Sequence, residues 1–342
     1  VTDTEASRLT RAPNALAVAS SADVIARALA SVSGATAHEL GAQLWLDESE
    51  RSRRSAEPDD RTLYWTRLSV MQKARDLDVG DEAIGQFERA SRGVDFDFLD
   101  DVDRRVIVTG FDPFGLDASI EQSNPSGALA LVVHDRVTNI RGLRVQFKSS
   151  IVPVRYADFD AGCIEALFGP LLEARAVDLA VTVSMGRDAF DLERFPARRR
   201  SVTKPDNDGV AGCVDELDPQ IPKLLGSSLV GPEFLEFSLP VRRMLGVRGP
   251  YSVRLNNTVQ TIERGVFVAR ELEELTGLTA VSGSGGGYLS NEISYRALFL
   301  AKTLGSDIPI GHIHTPRLTG YEPDTVQTIV DQTIKLLDAA ID

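Results

Sequence analysis

One serine in a glycine-rich turn is well placed for chemistry in this chain. Residues 282–295 read Ser-Gly-Ser-Gly-Gly-Gly-Tyr-Leu-Ser-Asn-Glu-Ile-Ser-Tyr. The apolar run Leu278-Thr279-Ala280-Val281 leads in, and Leu289, Ile293, Ala297 and Leu300 follow at helical spacing. Ser290 is therefore expected where a strand turns through glycines into a helix. Backbone N–H groups at such a start are unpaired, and the helix dipole favours negative charge. A nucleophile there has part of an oxyanion site beside it. The same segment opens like a dinucleotide fingerprint, but the third glycine would stand at 288, where the chain has Tyr288. No cofactor is expected.

The chain has four histidines, and two of them fall in Gly311-His312-Ile313-His314-Thr315-Pro316. Imidazole is the natural general base near neutral pH. On a strand, residues 312 and 314 share a face, which makes a metal pair conceivable. No acidic or cysteine ligand stands near to complete it, so no metal is expected. Asp188, Asp191 and Glu193, taken alone, read as surface carboxylates. The segment Thr109-Gly110-Phe111-Asp112-Pro113-Phe114-Gly115 offers two phenylalanines that either line a small flat pocket or pack a core turn. Asn124-Pro125-Ser126 reads as a helix start capped by Asn124 or Ser126.

The elements that would position these residues begin near residue 105. Strands are expected over 106–109, 145–152, 177–183, 279–282 and 308–313. Helices are expected over 126–134, 160–175, 259–275, 289–304 and 324–341. This alternation predicts an α/β fold: a mostly parallel sheet flanked by helices on both faces, a hydrolase-like sandwich. Ligands of such sheets bind beyond the carboxyl ends of the strands, here the loops after Thr109, Ser184, Ser282 and His314. Residues 1–103 differ. They carry both tryptophans, Trp45 and Trp65, and show helical spacing with few strand signals. They are expected to form a helical N-terminal extension to an α/β domain over 104–342. Residues 50–60 read as a loop, and the acidic stretch 95–103 as a joint, with Phe96, Phe98 and Leu99 able to dock on a neighbour.

Composition narrows the partners. The formal charge of −13 argues against a nucleic-acid surface. The 43% hydrophobic content suffices for a large core, yet no apolar run reaches the roughly 18 residues of a membrane span. Arg198-Arg199-Arg200 is expected on a solvated loop. Cys163 and Cys213 lack metal-ligand spacing and read as two buried free thiols. The chain starts at Val1, which is compatible with a processed product and a removed signal peptide.

Taken in order, these segments resemble pyroglutamyl peptidase I, the pyrrolidone-carboxylate peptidase family, over about residues 105–342. The resemblance rests on residues 108–115, on Asn124-Pro125, on Gly186-Arg187 with Leu192-Glu193-Arg194, and on Pro205-Asp206-Asn207-Asp208-Gly209. It continues through Ser238-Leu239-Pro240, residues 282–295 and residues 311–316. Members are cysteine peptidases that remove N-terminal pyroglutamate from peptides. The resemblance places their catalytic glutamate on Glu193, their histidine on His314 and their nucleophilic cysteine on Ser290. It places Phe111 and Phe114 on either side of the pyrrolidone ring, with Asn124 and the Gly285-Gly286-Gly287 loop at the substrate. It implies a peptide or small amide partner with a pyroglutamyl-like end, leaves a homo-oligomer open, and implies a cytoplasmic location beside the secreted one that the missing Met leaves open.

The chain departs from that pattern. Ser290 stands in place of the thiol, Thr203 in place of an arginine, and His312 in place of an apolar residue. The stretch 208–280 is longer than in the family, and residues 1–103 lie outside it. A serine needs general-base help throughout attack, whereas a thiol ionises readily beside histidine. Three readings therefore stand side by side: a Ser-His-Glu hydrolase; a chain in which serine replaces a natural cysteine; and a non-catalytic relative that binds pyroglutamyl ends. A diverged amide or ester hydrolase is the alternative to peptidase activity.

Overall fold

A computed structural model describes residues 4–31 and 34–342. Six helices come first: α1 (Thr4–Arg8), α2 (Pro13–Ala17), α3 (Ala19–Ala30), α4 (Gly34–Arg54), α5 (Arg61–Asp76) and α6 (Asp81–Ala90). Both tryptophans are buried, Trp65 of α5 in a cluster with Ala12, Ala15 and Leu116, and Trp45 edge-on to His134 at 5.1 Å. Phe96 and Phe98 of the acidic joint pack against the core of the α/β part.

The α/β part runs β1 (Arg104–Phe111), α7 (Pro125–Val133), β2 (Val137–Ile140), β3 (Leu143–Val152), α8 (Tyr156–Asp160), α9 (Cys163–Glu173), β4 (Leu179–Met185) and β5 (Phe190–Glu193). It continues with β6 (Lys223–Leu224), β7 (Ser227–Ser228), α10 (Val241–Met244), β8 (Val253–Asn256), β9 (Thr258–Thr261), β10 (Gly265–Val268), β11 (Ala280–Ser282), α11 (Leu289–Leu304), β12 (Ile310–Thr315) and α12 (Pro323–Ala340). The main sheet has seven strands in the order β2-β3-β1-β4-β12-β5-β8. Strands β3, β1, β4 and β12 are parallel, while β5 runs antiparallel to β12 and carries β8 parallel to itself. Helices α7 and α12 pack together, as do α9 and α11. The α/β expectation therefore holds. Strand β4, Leu-Ala-Val-Thr-Val-Ser-Met, is buried at all but its last residue, as a strand covered on both faces must be.

Several expectations need correction. Residues 259–275 form no long helix. Thr261 pairs with Gly265 across a three-residue loop, with Gly265 at φ +65°, and Val259 and Phe267 face each other on β9 and β10. A glycine in the left-handed region after a short loop is a hairpin device, and it overrode the apolar spacing. Strand β11 belongs to the small β10-β9-β11 sheet, so Ser290 does not follow a strand of the main sheet. The arginine cluster is not solvated. Arg198 and Arg199 bind Glu233, and buried Arg200 binds Glu292 at 2.6 Å and Asp160 at 2.7 Å. Three carboxylates from distant segments neutralise it. Both cysteines are free, but Cys163 is only half-buried. Asp191 is buried against Arg254, and Glu193 is buried too; neither is a surface carboxylate. Among the described residues, no helix is long and apolar enough to cross a membrane.

Candidate active site

The site forms where α11, β12, β5 and the loop after β1 converge. Helix α11 starts at the glycine turn. Gly283 and Gly286 exchange backbone hydrogen bonds at 2.9 and 3.0 Å, and Gly286 sits at φ +88°, a conformation that favours glycine. A Cβ on Gly283 would lie 2.2 Å from Asn291 Oδ1, and one on Gly287 would lie 1.9 Å from Ser201 Oγ, so both positions are closed to side chains. Asn291 locks the turn from inside the helix. Its Oδ1 accepts from Ala197 N–H and its Nδ2 donates to the Ala197 carbonyl. Leu289 and Ile293 anchor α11 in the main core. Each such buried side chain contributes about 1.5–3 kcal/mol.

Ser290 is the second residue of α11. The Asn291 and Glu292 N–H groups both bond the Tyr288 carbonyl. Among the described residues, no hydrogen bond occupies the N–H groups of Leu289 and Ser290, nor those of Gly285 and Gly287. The Gly286 N–H is engaged by Gly283, which removes it from any anion site. The Ser290 hydroxyl donates to the Gly285 carbonyl at 3.3 Å, not to His314.

His314 lies on β12, and its Nδ1 meets Glu193 Oε1 at 2.6 Å. The antiparallel pairing of β5 with β12 brings the two together: Glu193 lies opposite His312, one strand over. Burial pushes the Glu193 carboxyl above its usual range, and His314 and Asn256 oppose that shift. Asn256, at the end of β8, donates to Glu193 Oε2 at 2.9 Å and to the Ser284 carbonyl at 2.8 Å, tying the carboxylate to the glycine turn. A Cβ built on Gly285 would lie 3.7 Å from His314 Cε1 and 3.7 Å from Glu193 Cγ, so the glycine loop passes directly over the histidine–glutamate pair.

Beside Ser290 is a narrow, half-open cleft with about 30 Å³ of free space, lined by Phe111, Phe114, Asn124, Val154, Ser184, Met185, Tyr288, Leu289 and Ser290. Phe111 stacks on Phe159, and Lys204 Nζ sits 4.5 Å above the Phe114 ring. Asn124 caps α7: its Oδ1 accepts from Ser126 N–H at 3.1 Å, while its Nδ2 donates to the Asp112 carbonyl at 3.0 Å. One side chain thus fixes both the helix start and the phenylalanine loop.

His312 and His314 share a strand face, with rings 4.8 Å apart and nearly perpendicular. His312 is fully buried between two hydroxyls, with Nδ1 2.8 Å from Thr182 Oγ1 and Nε2 2.8 Å from Ser184 Oγ. Burial, and then the charge of His314, hold its pKa well below the ordinary histidine value. Sequence reasoning missed Asn256, Thr182 and the pocket role of Ser184. Asn256 carries no local signal, because its strand was not foreseen. Ser184 lies near the end of β4, just before a loop named as a place to look, and only its hydrogen bond with His312, two strand positions before His314, singles it out.

Residues 105–246 and 253–319 match the family described as PA0049, C-terminal domain. The chain is 30% identical over 385 aligned positions to the Pseudomonas aeruginosa protein named "Uncharacterized protein PA0049", covering 83% of this chain and 69% of that one. Among solved structures, it is similar to a glutamate-to-isoleucine mutant of pyrrolidone carboxyl peptidase from Pyrococcus furiosus. That match has a TM-score of 0.48 and 22% identity, covering 69% of this chain and 97% of the other. Pyrrolidone carboxyl peptidase from the same organism, determined with its cysteine-free mutant, gives a TM-score of 0.48 and 20% identity over the same shares. The chain belongs to the PA0049 family, whose C-terminal domain spans residues 105–246 and 253–319.

Proposed function

We propose that this chain is an acyl-transfer hydrolase that removes a pyroglutamyl-like end from a peptide or small amide. The observation that carries the reading is the 2.6 Å contact between His314 Nδ1 and Glu193 Oε1, set under the glycine loop that leads to Ser290. A carboxylate on Nδ1 fixes the imidazole tautomer that leaves Nε2 as a base and stabilises the cation formed when it takes a proton. In the reaction, Ser290 Oγ rotates from the Gly285 carbonyl towards His314. His314 takes its proton as the oxygen attacks the carbonyl carbon. The negative oxygen of the tetrahedral intermediate is held by the free N–H groups of Gly285 or Gly287 and of the helix start. Collapse breaks the C–N bond, and His314 returns the proton to the leaving amine. Water, deprotonated by the same imidazole, then releases the acyl group.

The cleft that ends on Ser290 is walled by the rings of Phe111 and Phe114, which offer flat faces to a five-membered ring once the loop opens to admit it. A diverged amide or ester substrate is the second reading, favoured by Thr203 standing where the resembled family has an arginine. The test is hydrolysis of a pyroglutamyl-coumarin amide and a pyroglutamyl-peptide panel, read by fluorescence and mass spectrometry. Turnover is expected, falling by about 10³ or more in Ser290→Ala. A strong gain in Ser290→Cys would mark serine as a stand-in for a thiol; no gain would mark it as the working nucleophile. Absence of turnover in both, with the peptide still bound, would replace the hydrolase reading by a binding one.

A further inference from the structure

A second pocket lies between the helical extension and the α/β part. Residues of α6 and of the turn after it form one side, and the end of β3, α8 and the start of α9 form the other. It holds about 530 Å³ of free space, within the roughly 300–1,000 Å³ usual for small-ligand sites. The cleft beside Ser290 shares none of its lining residues: Val152 and Pro153 line this pocket, and Val154 lines the cleft. Its body is apolar, made by Val94, Ile151, Val152, Ile164 and Leu167. Its charged groups are unequally committed. Both carboxylates already hold cations. Glu88 Oε1 accepts from Arg92 at 2.9 Å and from Arg155 at 2.5 Å, and Asp158 accepts from Arg155 through both oxygens, at 2.7 and 3.1 Å. The two lining guanidiniums keep donors to spare. Arg92 is 6% exposed; its Nη1 and Nη2 serve Asp112, the Ile151 carbonyl and Glu88, while its Nε–H has no acceptor among the described residues. Arg89 is exposed and has no ion pair or side-chain hydrogen bond among the described residues. Its guanidinium folds back along α6, with Nη1 3.8 Å from where a Cβ on Gly85, another lining residue, would stand.

We propose that this pocket binds a small amphipathic carboxylate, its chain laid among the five apolar side chains and its head group taking the free donors of Arg89 and Arg92. Residues three apart at a helix end are neighbours, so one carboxylate can bridge the two. Hydrogen bonds between ionised partners are roughly twice as strong as neutral ones, which favours the anion over an alcohol of the same length. A cationic head group would find Glu88 and Asp158 already paired and would meet the uncompensated charge of Arg89. The apolar body calls for a chain, because each methylene taken out of water raises affinity roughly fourfold. The proposal is independent of the chemistry at Ser290, which lies outside the pocket.

The experiment is calorimetric titration of the full chain with octanoate, octan-1-ol, octylammonium and acetate. Octanoate is expected to bind roughly tenfold tighter than octanol or octylammonium, and acetate, which lacks the chain, to give no measurable heat. Arg89→Ala should bring octanoate to within about threefold of octanol, whereas Arg89→Lys, which keeps the charge, should retain most of the preference. Ala166 lines the pocket at an exposed position of α9, so Ala166→Trp can fill the space without disturbing the core, and it should abolish octanoate binding. Circular dichroism checks that the variant is folded; the Arg89 pair and the ligand ratios decide the matter even if it is not. Octanoate binding that survives Ala166→Trp in a folded protein, equal affinity for octanoate and octanol, a preference untouched by Arg89→Ala, or no binding of octanoate would each overturn the proposal.

Discussion

Glu193 shows how a side chain that looks exposed in its local sequence can be buried and paired by the fold. It lies 121 positions before His314 and belongs to a four-residue strand, so composition around it suggests an exposed carboxylate. Only the resemblance singled it out. The fold buries it and gives it two partners, His314 and Asn256. Glu193→Gln keeps the volume and the Asn256 neighbour but removes the charge that would stabilise an imidazolium. We expect kcat on a pyroglutamyl-coumarin amide to fall by about 10²–10⁴, with KM little changed. Steady-state kinetics measure it, and an unaltered kcat would take Glu193 out of the mechanism. The place of Ser290 at a helix start beyond a glycine turn was legible, because the glycines and the apolar spacing of α11 mark that start. Its hydroxyl's bond to Gly285 was not, since rotamers are set by packing rather than by sequence spacing.

At the scale of elements, long periodic segments were readable and short paired ones were not. The helix expected over 289–304 is α11, because four apolar residues on one face and the left-handed Gly305 at its end mark it twice. Strands β2, β5 and β8 have four residues each and were not foreseen, and β9 and β10 were taken for helix. Strands this short depend on partners distant in sequence, which local patterns do not carry. The phenylalanine loop rests on a different element-level device. Strand β1 crosses the start of α7 so closely that a Cβ on Gly110 would lie 2.0 Å from the Ser126 carbonyl oxygen. That atom is backbone and cannot turn away. Gly110→Ala is expected to destabilise the fold by about 3 kcal/mol, the upper end of what overpacking typically costs, because the clashing atom is backbone. Urea unfolding followed by circular dichroism checks it; a loss below about 0.5 kcal/mol would mean that β1 and α7 separate easily.

At the scale of the whole molecule, the helices before β1 reach into the loops around the cavity. Asp60 accepts from Ser123 Oγ at 2.6 Å and from the Asn124 N–H at 2.9 Å, and it is pushed up to about 8, first by burial and then by Asp59. A carboxyl raised above its unfolded value contributes stability that is complete below about pH 4 and is lost as pH climbs through 8. The Asp60 contribution to the melting temperature should therefore fall between about pH 4 and pH 8 and level off above, each kcal/mol appearing as roughly 2–4 °C. Asp60→Asn should flatten that slope in differential scanning calorimetry; an unchanged slope would assign it to other groups. Deeper in the same junction, Arg67 and Arg92 both grip Asp112, the residue between Phe111 and Pro113. Two cations from α5 and the turn after α6 are thus wired to the strip of chain that forms one wall of the cavity. Thermodynamic reciprocity then runs both ways. A guest that steadies the phenylalanine loop must also steady the helical extension, and loosening the extension must weaken the guest's hold. Saturation at a hundredfold over Kd would add up to about 2.7 kcal/mol to any opening that needs the guest to leave first. Amide exchange in α5 and α6 should slow when the cavity is filled, although no atom of the guest comes near those helices. Filling of the cleft beside Ser290 should then be readable from the helices behind it.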